Sequence, residues 1–196
     1  MDGLRLEAET SVPPDPWAAA VLAHPHPLHG GSMRTGVPAA LFERLPQEGV
    51  ACLRFNFRGV EGSEGEHDGG QAERFDLAAA IAALAEAAPD VPLIVAGWSF
   101  GADVSLTVTE LRLHGWCAVA PPLASVPIEE MAAATDPRPK RLLVPEHDQF
   151  RPPSAAATAT AAWTNTEVVE VPGTDHFLTG RLAAVAAGVV ELLRSL

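Results

Sequence analysis

The sequence predicts an α/β fold, with a mostly parallel central sheet and helices on both faces. Strand-like and helix-like segments alternate at regular intervals through the 196 residues. Several strand-like segments, such as Ala18–Ala23 and Leu93–Ala96, are apolar throughout, which is typical of strands buried on both faces. The second of these leads directly into a G-x-S-x-G turn, Gly97 to Gly101, followed by a helical pattern. The composition changes nowhere abruptly, so we expect a single domain over residues 1–196.

The part of the chain before residue 90 is predicted to contribute three strands and two helices. In order, they are an edge strand at Leu4–Ala8, a buried strand at Ala18–Ala23, a helix at Pro38–Leu45, a strand at Val50–Asn56 and a helix at Gln71–Ala88. Apolar and charged residues alternate in the first of these, as expected for a half-exposed strand. In the last, apolar residues recur at spacings near three and four, namely Phe75, Leu77, Ile81 and Leu84.

The part after the G-x-S-x-G turn repeats the alternation. Its predicted elements are a helix at Ala102–Leu113, strands at Trp116–Ala120 and Arg141–Pro145, a helix at Pro152–Trp163, a strand at Thr166–Val171 and a helix at Leu178–Leu196. In an open sheet of this kind, the loops that follow the carboxyl ends of the strands gather at one edge and form a crevice. Reactive side chains are therefore expected directly after strands.

Composition excludes several classes of function. The net charge of −12 argues against a nucleic-acid partner, because a phosphate backbone is bound by basic patches. No apolar run reaches the length of a membrane span, and the first residues lack the apolar core of a signal peptide, so we expect a cytoplasmic protein with no membrane partner. Cys52 and Cys117 lie in apolar segments and are predicted to be core residues. A homodimer remains open.

Ser99 stands at the centre of the G-x-S-x-G turn, where a nucleophile is expected. A serine at the apex of so tight a turn has a strained backbone and an exposed hydroxyl. Side chains at positions 97 and 101 would collide with the neighbouring strand and helix, which explains the two glycines. The first N–H groups of the following helix point at the group that the serine attacks. The alternative to a nucleophile is a glycine-rich turn with a solvated serine, and further evidence is needed to exclude it.

That evidence comes from two later loops, because a serine hydroxyl needs a base and a group that orients the base. Asp148 follows the strand predicted at Arg141–Pro145, and His176 follows the strand predicted at Thr166–Val171. We expect His176 to be the general base and Asp148 to orient it. Glu146 is an alternative acid, whereas Asp175, as the sequence neighbour of His176, is expected to point elsewhere. A histidine that only packs in its loop is the alternative for His176.

A third loop, from His24 to Gly31, follows the strand expected beside the nucleophile strand. We predict that it forms an oxyanion hole, with the backbone N–H groups of His26 and Phe100 as donors, because Pro25 and Pro27 have no N–H. A metal site is the alternative for this loop, with the three histidines His24, His26 and His29 as ligands. A hydrogen-bonded, structural His24 is favoured over this alternative, and we expect no metal and no cofactor.

These segments together resemble a known family. They are Ala23 to Met33, Arg54 to Gly65, Gly97 to Gly101 and Asp175 to Phe177, which read AHPHPLHGGSM, RFNFRGVEGSEG, GWSFG and DHF. In this order they are similar to a small, cap-less branch of the α/β-hydrolase superfamily, that of the dienelactone-hydrolase-like bacterial esterases. The resemblance spans nearly the whole chain. It implies the α/β-hydrolase fold without a cap domain, the triad Ser99, Asp148 and His176, and oxyanion donors at His26 and Phe100.

The chain departs from that family at two places. Dienelactone hydrolases themselves use a cysteine nucleophile, so the serine at position 99 prevents carrying over their substrate. Pro145, Glu146 and His147 replace the glycine common in relatives, so the resemblance supports the serine more directly than the acid. Lidded members of the superfamily insert a helical domain where this chain has only Pro121–Lys140, with room for one small helix at Ile128–Ala134. We therefore expect an open crevice that takes small or partly solvated esters or thioesters.

The hypothesis that follows is a serine carboxylic-ester hydrolase that works through an acyl-serine intermediate. Two alternatives stay open: a catalytically silent scaffold that binds a partner, and an acyltransferase that uses the same residues. Leu28, Trp98 and Phe150 are candidate substrate-binding residues, together with Met33 and Phe100. Since all five are apolar, they are equally compatible with the core.

Overall fold

A seven-stranded sheet lies at the centre of the computed structural model, which describes residues 3–196. Its strands in chain order are β1 Ala8–Ser11, β2 Ala18–Ala23, β3 Val50–Phe55, β4 Leu93–Trp98, β5 Gly115–Val119, β6 Lys140–Pro145 and β7 Thr166–Val171. Across the sheet the order is β1-β3-β2-β4-β5-β6-β7, with β1 antiparallel to β3 and every other neighbouring pair parallel. The prediction of a mostly parallel sheet is confirmed.

Helices cover both faces of this sheet, as predicted. They are α1 Gly36–Arg44, α2 Glu73–Ala87, α3 Phe100–Leu106, α4 Pro153–Ala159 and α5 Leu182–Arg194. Apolar residues of α2, α3 and α4 form one core cluster with one side of the strands, and those of α1 and α5 form a second cluster with the other side. Successive residues of β2 divide between the two, with Ala19 and Val21 in the first cluster and Ala20 and Leu22 in the second.

The edge strand lies further along the chain than predicted. Pairing with β3 starts only at Ala8, which is opposite Phe55, and continues to Ser11. The preceding residues bond instead to the loop after β3: the Arg5 carbonyl accepts from Glu64 N at 2.9 Å, and the Glu7 carbonyl accepts from Asn56 N at 2.9 Å. The prediction of a strand over residues 4–8 was wrong, because alternation of side chains cannot show which segment supplies the backbone partners.

Three helices are shorter than predicted by five residues or more. The helix after Ser99 ends at Leu106 instead of Leu113, and the side chains of Ser105 and Thr107 bond back to carbonyls within its last turns. In the same way α4 ends at Ala159 rather than Trp163, and Thr160 Oγ1 donates to the carbonyl of Ala156. The last helix begins at Leu182, after a turn that includes Gly180 at φ 75°.

Burial separates the predicted core residues. Of the apolar residues that recur at helical spacing in α2, Leu77, Ile81 and Leu84 are buried, whereas Phe75 is 50% exposed. Both cysteines are buried, and burial raises the pKa of each thiol to about 12. Their prediction as core residues is confirmed.

The segment between β5 and β6 forms no cap domain in the described part of the chain. In place of the helix predicted at Ile128–Ala134, it contains two short 3₁₀ turns, Ile128–Glu130 and Ala132–Thr135. The edge of the sheet where β4, β6 and β7 end is therefore open. No helix within residues 3–196 is long and apolar enough to cross a membrane.

Candidate active site

Ser99 forms the sharp turn between β4 and α3, and its backbone has the strain that the sequence predicted. Its backbone dihedral angles are φ 55° and ψ −119°, in a region that residues other than glycine rarely adopt. A Cβ at position 97 would collide with the Gly101 carbonyl, and a Cβ at position 101 would lie 2.5 Å from the carbonyl oxygen of His24. Both glycines are therefore required by close backbone approach, and the turn brings α3 directly against the end of β2.

The structure brings Ser99, His176 and Asp148 into one chain of hydrogen bonds. His176 Nε2 lies 2.9 Å from Ser99 Oγ, and His176 Nδ1 lies 2.8 Å from Asp148 Oδ2. Because a carboxylate only accepts, Nδ1 carries the proton and Nε2 is free to accept from the serine hydroxyl. The ring and the carboxylate are sheltered, since His176 and Asp148 are each 4% exposed.

The orientation of Asp148 is fixed by its own loop. Its second oxygen, Oδ1, accepts from the backbone N–H groups of Phe150 at 2.8 Å and Arg151 at 3.1 Å. The two alternative acids are engaged elsewhere: Glu146 Oε2 accepts from Gly173 N at 2.7 Å, and Asp175 Oδ1 accepts from Phe177 N at 3.1 Å. Asp148 is therefore the carboxylate in contact with the His176 ring.

The loop after β2 lies beside this chain of hydrogen bonds and is held by His24, which is fully buried. Its Nδ1 donates to the carbonyl of Pro25 at 2.7 Å, and its Nε2 accepts from Phe57 N at 3.0 Å. Gly31 closes the loop, with its N–H bonded to the His26 carbonyl at 3.1 Å, and a Cβ on Gly31 would collide with the Pro25 carbonyl. This agrees with the prediction of a structural His24.

The two predicted oxyanion donors are neighbours in the fold. The rings of His26 and Phe100 have centroids 5.0 Å apart, and Phe100 is the first residue of α3. Neither backbone N–H donates to a protein group within the described part of the chain. The roles of these two N–H groups as oxyanion donors stay a prediction.

The histidines of this loop stack rather than converge. The His26 ring lies 4.6 Å from that of His29 at an interplanar angle of 26°, and His26 Nδ1 accepts from Leu28 N at 3.2 Å. In residues 3–196 no group of three or more histidine, cysteine or carboxylate side chains is arranged to hold a metal ion. The ring nitrogens of His24 are both used in protein hydrogen bonds.

A cleft of about 350 Å³ opens directly onto Ser99 and His176. Of the predicted substrate-binding residues, Trp98 and Phe150 line it. Leu28 does not: it is 72% exposed and lines a neighbouring cavity. Met33 and Phe100 are fully buried in the interior. His29, Thr35 and Phe177 also line the cleft, and the sequence analysis did not predict them as substrate-binding residues.

Comparison with known proteins supports the fold. No family model matches the chain. Among solved structures, an alpha-beta serine hydrolase homologue from Coxiella burnetii superposes with a TM-score of 0.83 at 28% identity, covering 100% of this chain and 97% of that one. An α/β serine hydrolase without a lid, from Xanthomonas campestris, superposes with a TM-score of 0.85 at 27% identity, covering 97% of this chain and 88% of that one.

The chain has the α/β-hydrolase fold. Its resemblance to serine hydrolases, predicted from the sequence, is confirmed. Among curated proteins, an uncharacterised protein of Rickettsia prowazekii is 34% identical over 110 residues, which are 55% of this chain and 46% of that protein. The chain thus matches about half the length of that relative.

Within this α/β-hydrolase fold, a buried carboxylate that the sequence analysis missed connects the serine helix to the segment after β5. Asp103 of α3 is fully buried and accepts from the backbone N–H groups of Leu123, Ala124 and Ser125 at 2.8 to 3.0 Å. Burial raises the pKa of its carboxyl group. Arg151 Nε, from the acid loop, donates to the carbonyl of Pro122 at 2.9 Å. The short segment that replaces a cap is therefore fastened both to the serine helix and to the acid loop.

The buried ring of His24 is expected to make the folded chain less stable in acid. Burial lowers its pKa from 6.5 to about 4 in the folded chain, and protonation of Nε2 would place two donors against each other at Phe57 N. Between pH 6.5 and about 4, the unfolded chain therefore binds a proton more readily than the folded chain. The free energy of unfolding is retained above pH 6.5 and falls as the pH approaches 4. The pKa difference corresponds to about 3 kcal/mol over the whole interval.

The measurement is the free energy of urea unfolding from pH 7.5 to 4. Other groups titrate in the same interval, so the test is the difference between the parent and His24→Gln. We expect a flatter pH dependence for His24→Gln, and no such flattening for His147→Gln, whose ring is on the surface. Equal slopes for the parent and His24→Gln would contradict a buried, neutral His24.

Proposed function

We propose that the chain is a serine hydrolase that cleaves small carboxylic esters or thioesters through an acyl-serine intermediate. The observation that carries the proposal is the chain of hydrogen bonds from Ser99 through His176 to Asp148, opening onto the 350 Å³ cleft. The similarity to solved serine hydrolases supports the reaction class. The absence of a cap within residues 3–196 supports small or partly solvated substrates, because an open cleft cannot surround a long one.

The proposed acylation follows from the hydrogen-bond directions. Ser99 Oγ attacks the ester carbonyl carbon while His176 Nε2 takes the hydroxyl proton, and Asp148 stabilises the resulting imidazolium. The carbonyl oxygen becomes an oxyanion, which we assign to the N–H groups of His26 and Phe100. When the C–O bond to the alcohol breaks, His176 returns the proton to the leaving oxygen. The serine then carries the acyl group.

Deacylation reverses these roles with water as the nucleophile. His176 takes a proton from water, the hydroxide adds to the acyl carbon, and Ser99 leaves with the proton that His176 returns. The open cleft gives water direct access to this intermediate. An acyltransferase would use the same residues with another acceptor, and an acyl acceptor added to the assay distinguishes the two: the acid product forms with a hydrolase, and the transfer product dominates with a transferase.

The test is hydrolysis of 4-nitrophenyl esters with acyl chains of two, four and eight carbons. We expect release of nitrophenol with kcat/KM highest for the shorter chains, because the cleft is open and small. A protein that binds these esters but releases no nitrophenol would favour the silent scaffold. A preference for the eight-carbon ester would contradict the substrate size proposed here.

A further inference from the structure

Two phenylalanine rings stand exposed beside the His176 ring. Phe150 is 59% exposed and Phe177 is 56% exposed, although aromatic rings are usually well covered. Phe150 meets the His176 ring at a centroid distance of 4.6 Å, and Phe177 at 5.9 Å, both with the rings at steep angles to one another. Both also line the cleft that holds Ser99. Exposed aromatic surface therefore lies directly against the proposed base.

Backbone contacts fix the main chain that carries both rings. Phe150 N donates to Asp148 and Phe177 N donates to Asp175, so each phenylalanine is tied to a neighbouring carboxylate. The next residue after Phe177, Leu178, is fully buried and has φ 58°, a strained value for a leucine. This turn buries the leucine and leaves the phenylalanine outside. The main chain that carries the Phe177 ring is therefore ordered before a ligand binds, which lowers the entropic cost of binding.

The position beside His176 indicates which part of an ester these rings contact. In the proposed reaction His176 delivers its proton to the leaving oxygen, so groups against its ring are nearest the alcohol part of the ester. Within residues 3–196, no aspartate, glutamate, lysine or arginine lines the cleft, although the whole chain carries a net charge of −12. Within that part of the chain, the histidines His26, His29 and His176 are the only lining residues that can carry a charge, and burial lowers the pKa of His26. A charged alcohol part would therefore find no permanently charged partner there.

We propose that Phe150 and Phe177 form the alcohol-binding side of the cleft and select esters of neutral aromatic alcohols. This inference rests on the proposed hydrolase function and adds the substrate class and the orientation of the bound ester. Aromatic contacts favour rings over small alkyl groups by edge-to-face packing and by burial of apolar area. The two exposed rings are thereby specificity-determining residues.

The test compares two isomers of the same formula. Benzyl acetate carries its ring on the alcohol side, and methyl phenylacetate carries it on the acyl side, with methyl acetate as the common reference. For the parent, Phe150→Ala and Phe177→Ala, kcat/KM is measured for each ester. The intrinsic reactivity of each ester cancels when the ratios are compared between parent and variant. The matched control is Phe75→Ala, which removes a similarly exposed ring from α2.

We expect the ratio of benzyl acetate to methyl acetate to fall by about threefold to tenfold for each cleft variant, which is the range of one aromatic contact. The ratio of methyl phenylacetate to methyl acetate should fall less, and Phe75→Ala should change neither. An unchanged benzyl ratio, or a larger change on the acyl side, would overturn the proposal.

A binding measurement separates this proposal from the proposed function. Saturation-transfer NMR with benzyl alcohol, the product, needs no turnover and can be made on the intact chain. We expect transfer to the ring protons of benzyl alcohol, reduced when both Phe150 and Phe177 are alanine and retained in Phe75→Ala. Absence of transfer in the parent protein would contradict the alcohol site. Transfer without ester hydrolysis would contradict only the proposed function.

Discussion

Replacing Ser99 with alanine is expected to lower kcat for 4-nitrophenyl acetate by at least about 10⁴-fold, because the substitution removes the group that forms the acyl intermediate. The His176 ring and the proposed oxyanion donors remain in Ser99→Ala, so substrate binding should change little. Initial rates under saturating ester give the comparison. The control is Ser154→Ala, which removes an exposed serine of α4.

Unfolding must be excluded as the cause of the loss. Because Ser99 has strained backbone angles, Ser99→Ala keeps the strain and removes only the hydroxyl, and we expect its urea midpoint to stay close to that of the parent. Activity that stays within tenfold of the parent would show that another residue is the nucleophile. Such a result would remove the acyl-serine mechanism.

The second large effect is expected for Asp148, the proposed acid. Asp148→Asn should lower kcat by about 10⁴-fold, since an amide in place of the carboxylate stabilises the wrong tautomer of His176. The protein contacts favour this outcome: Asp148 Oδ1 already accepts two backbone N–H groups, so the amide nitrogen of the introduced asparagine would face the imidazole. It would then donate to Nδ1, and Nε2 would carry the proton and lose its ability to act as a base.

Glu146→Gln is the matched comparison, because it makes the same chemical change two residues away. Its carboxylate is bonded to Gly173 N and not to His176, so we expect kcat to fall by less than about tenfold. A large loss in Glu146→Gln together with a small loss in Asp148→Asn would transfer the role of the acid to Glu146. Both variants are measured for kcat and for kcat/KM across pH values from about 5.5 to about 9, which span the ordinary titration of histidine.

The core of the candidate site could be predicted from sequence because each part has a local cause. Close backbone approach demands glycine at 97 and 101, and both appear beside an apolar strand. Ser99, Asp148 and His176 lie in the loops at the carboxyl ends of β4, β6 and β7, which meet at one edge of the sheet. The sequence did not exclude Glu146 as the acid, because two carboxylates in one turn are distinguished only by backbone hydrogen bonds formed after folding.

Other features depend on contacts that local patterns do not contain. Phe177 and Leu178 are adjacent and both apolar, and only the left-handed turn decides which one is buried. Asp103 looks like an ordinary acidic residue in the first turn of a helix, yet its partners lie about twenty residues later in the chain. The outward position of Phe75 depends on the rotation of α2 against the sheet, which the spacing of apolar residues defines only within one residue.

The most direct test of Ser99 as the nucleophile is covalent labelling with a fluorophosphonate, followed by peptide mass spectrometry. The reagent reacts with a serine whose hydroxyl is activated by a base, independently of which ester the protein cleaves. We expect one phosphonylated residue, Ser99. Labelling should be abolished in Ser99→Ala and strongly reduced in His176→Ala. No adduct on the folded parent protein, or an adduct on a residue other than Ser99, would contradict it.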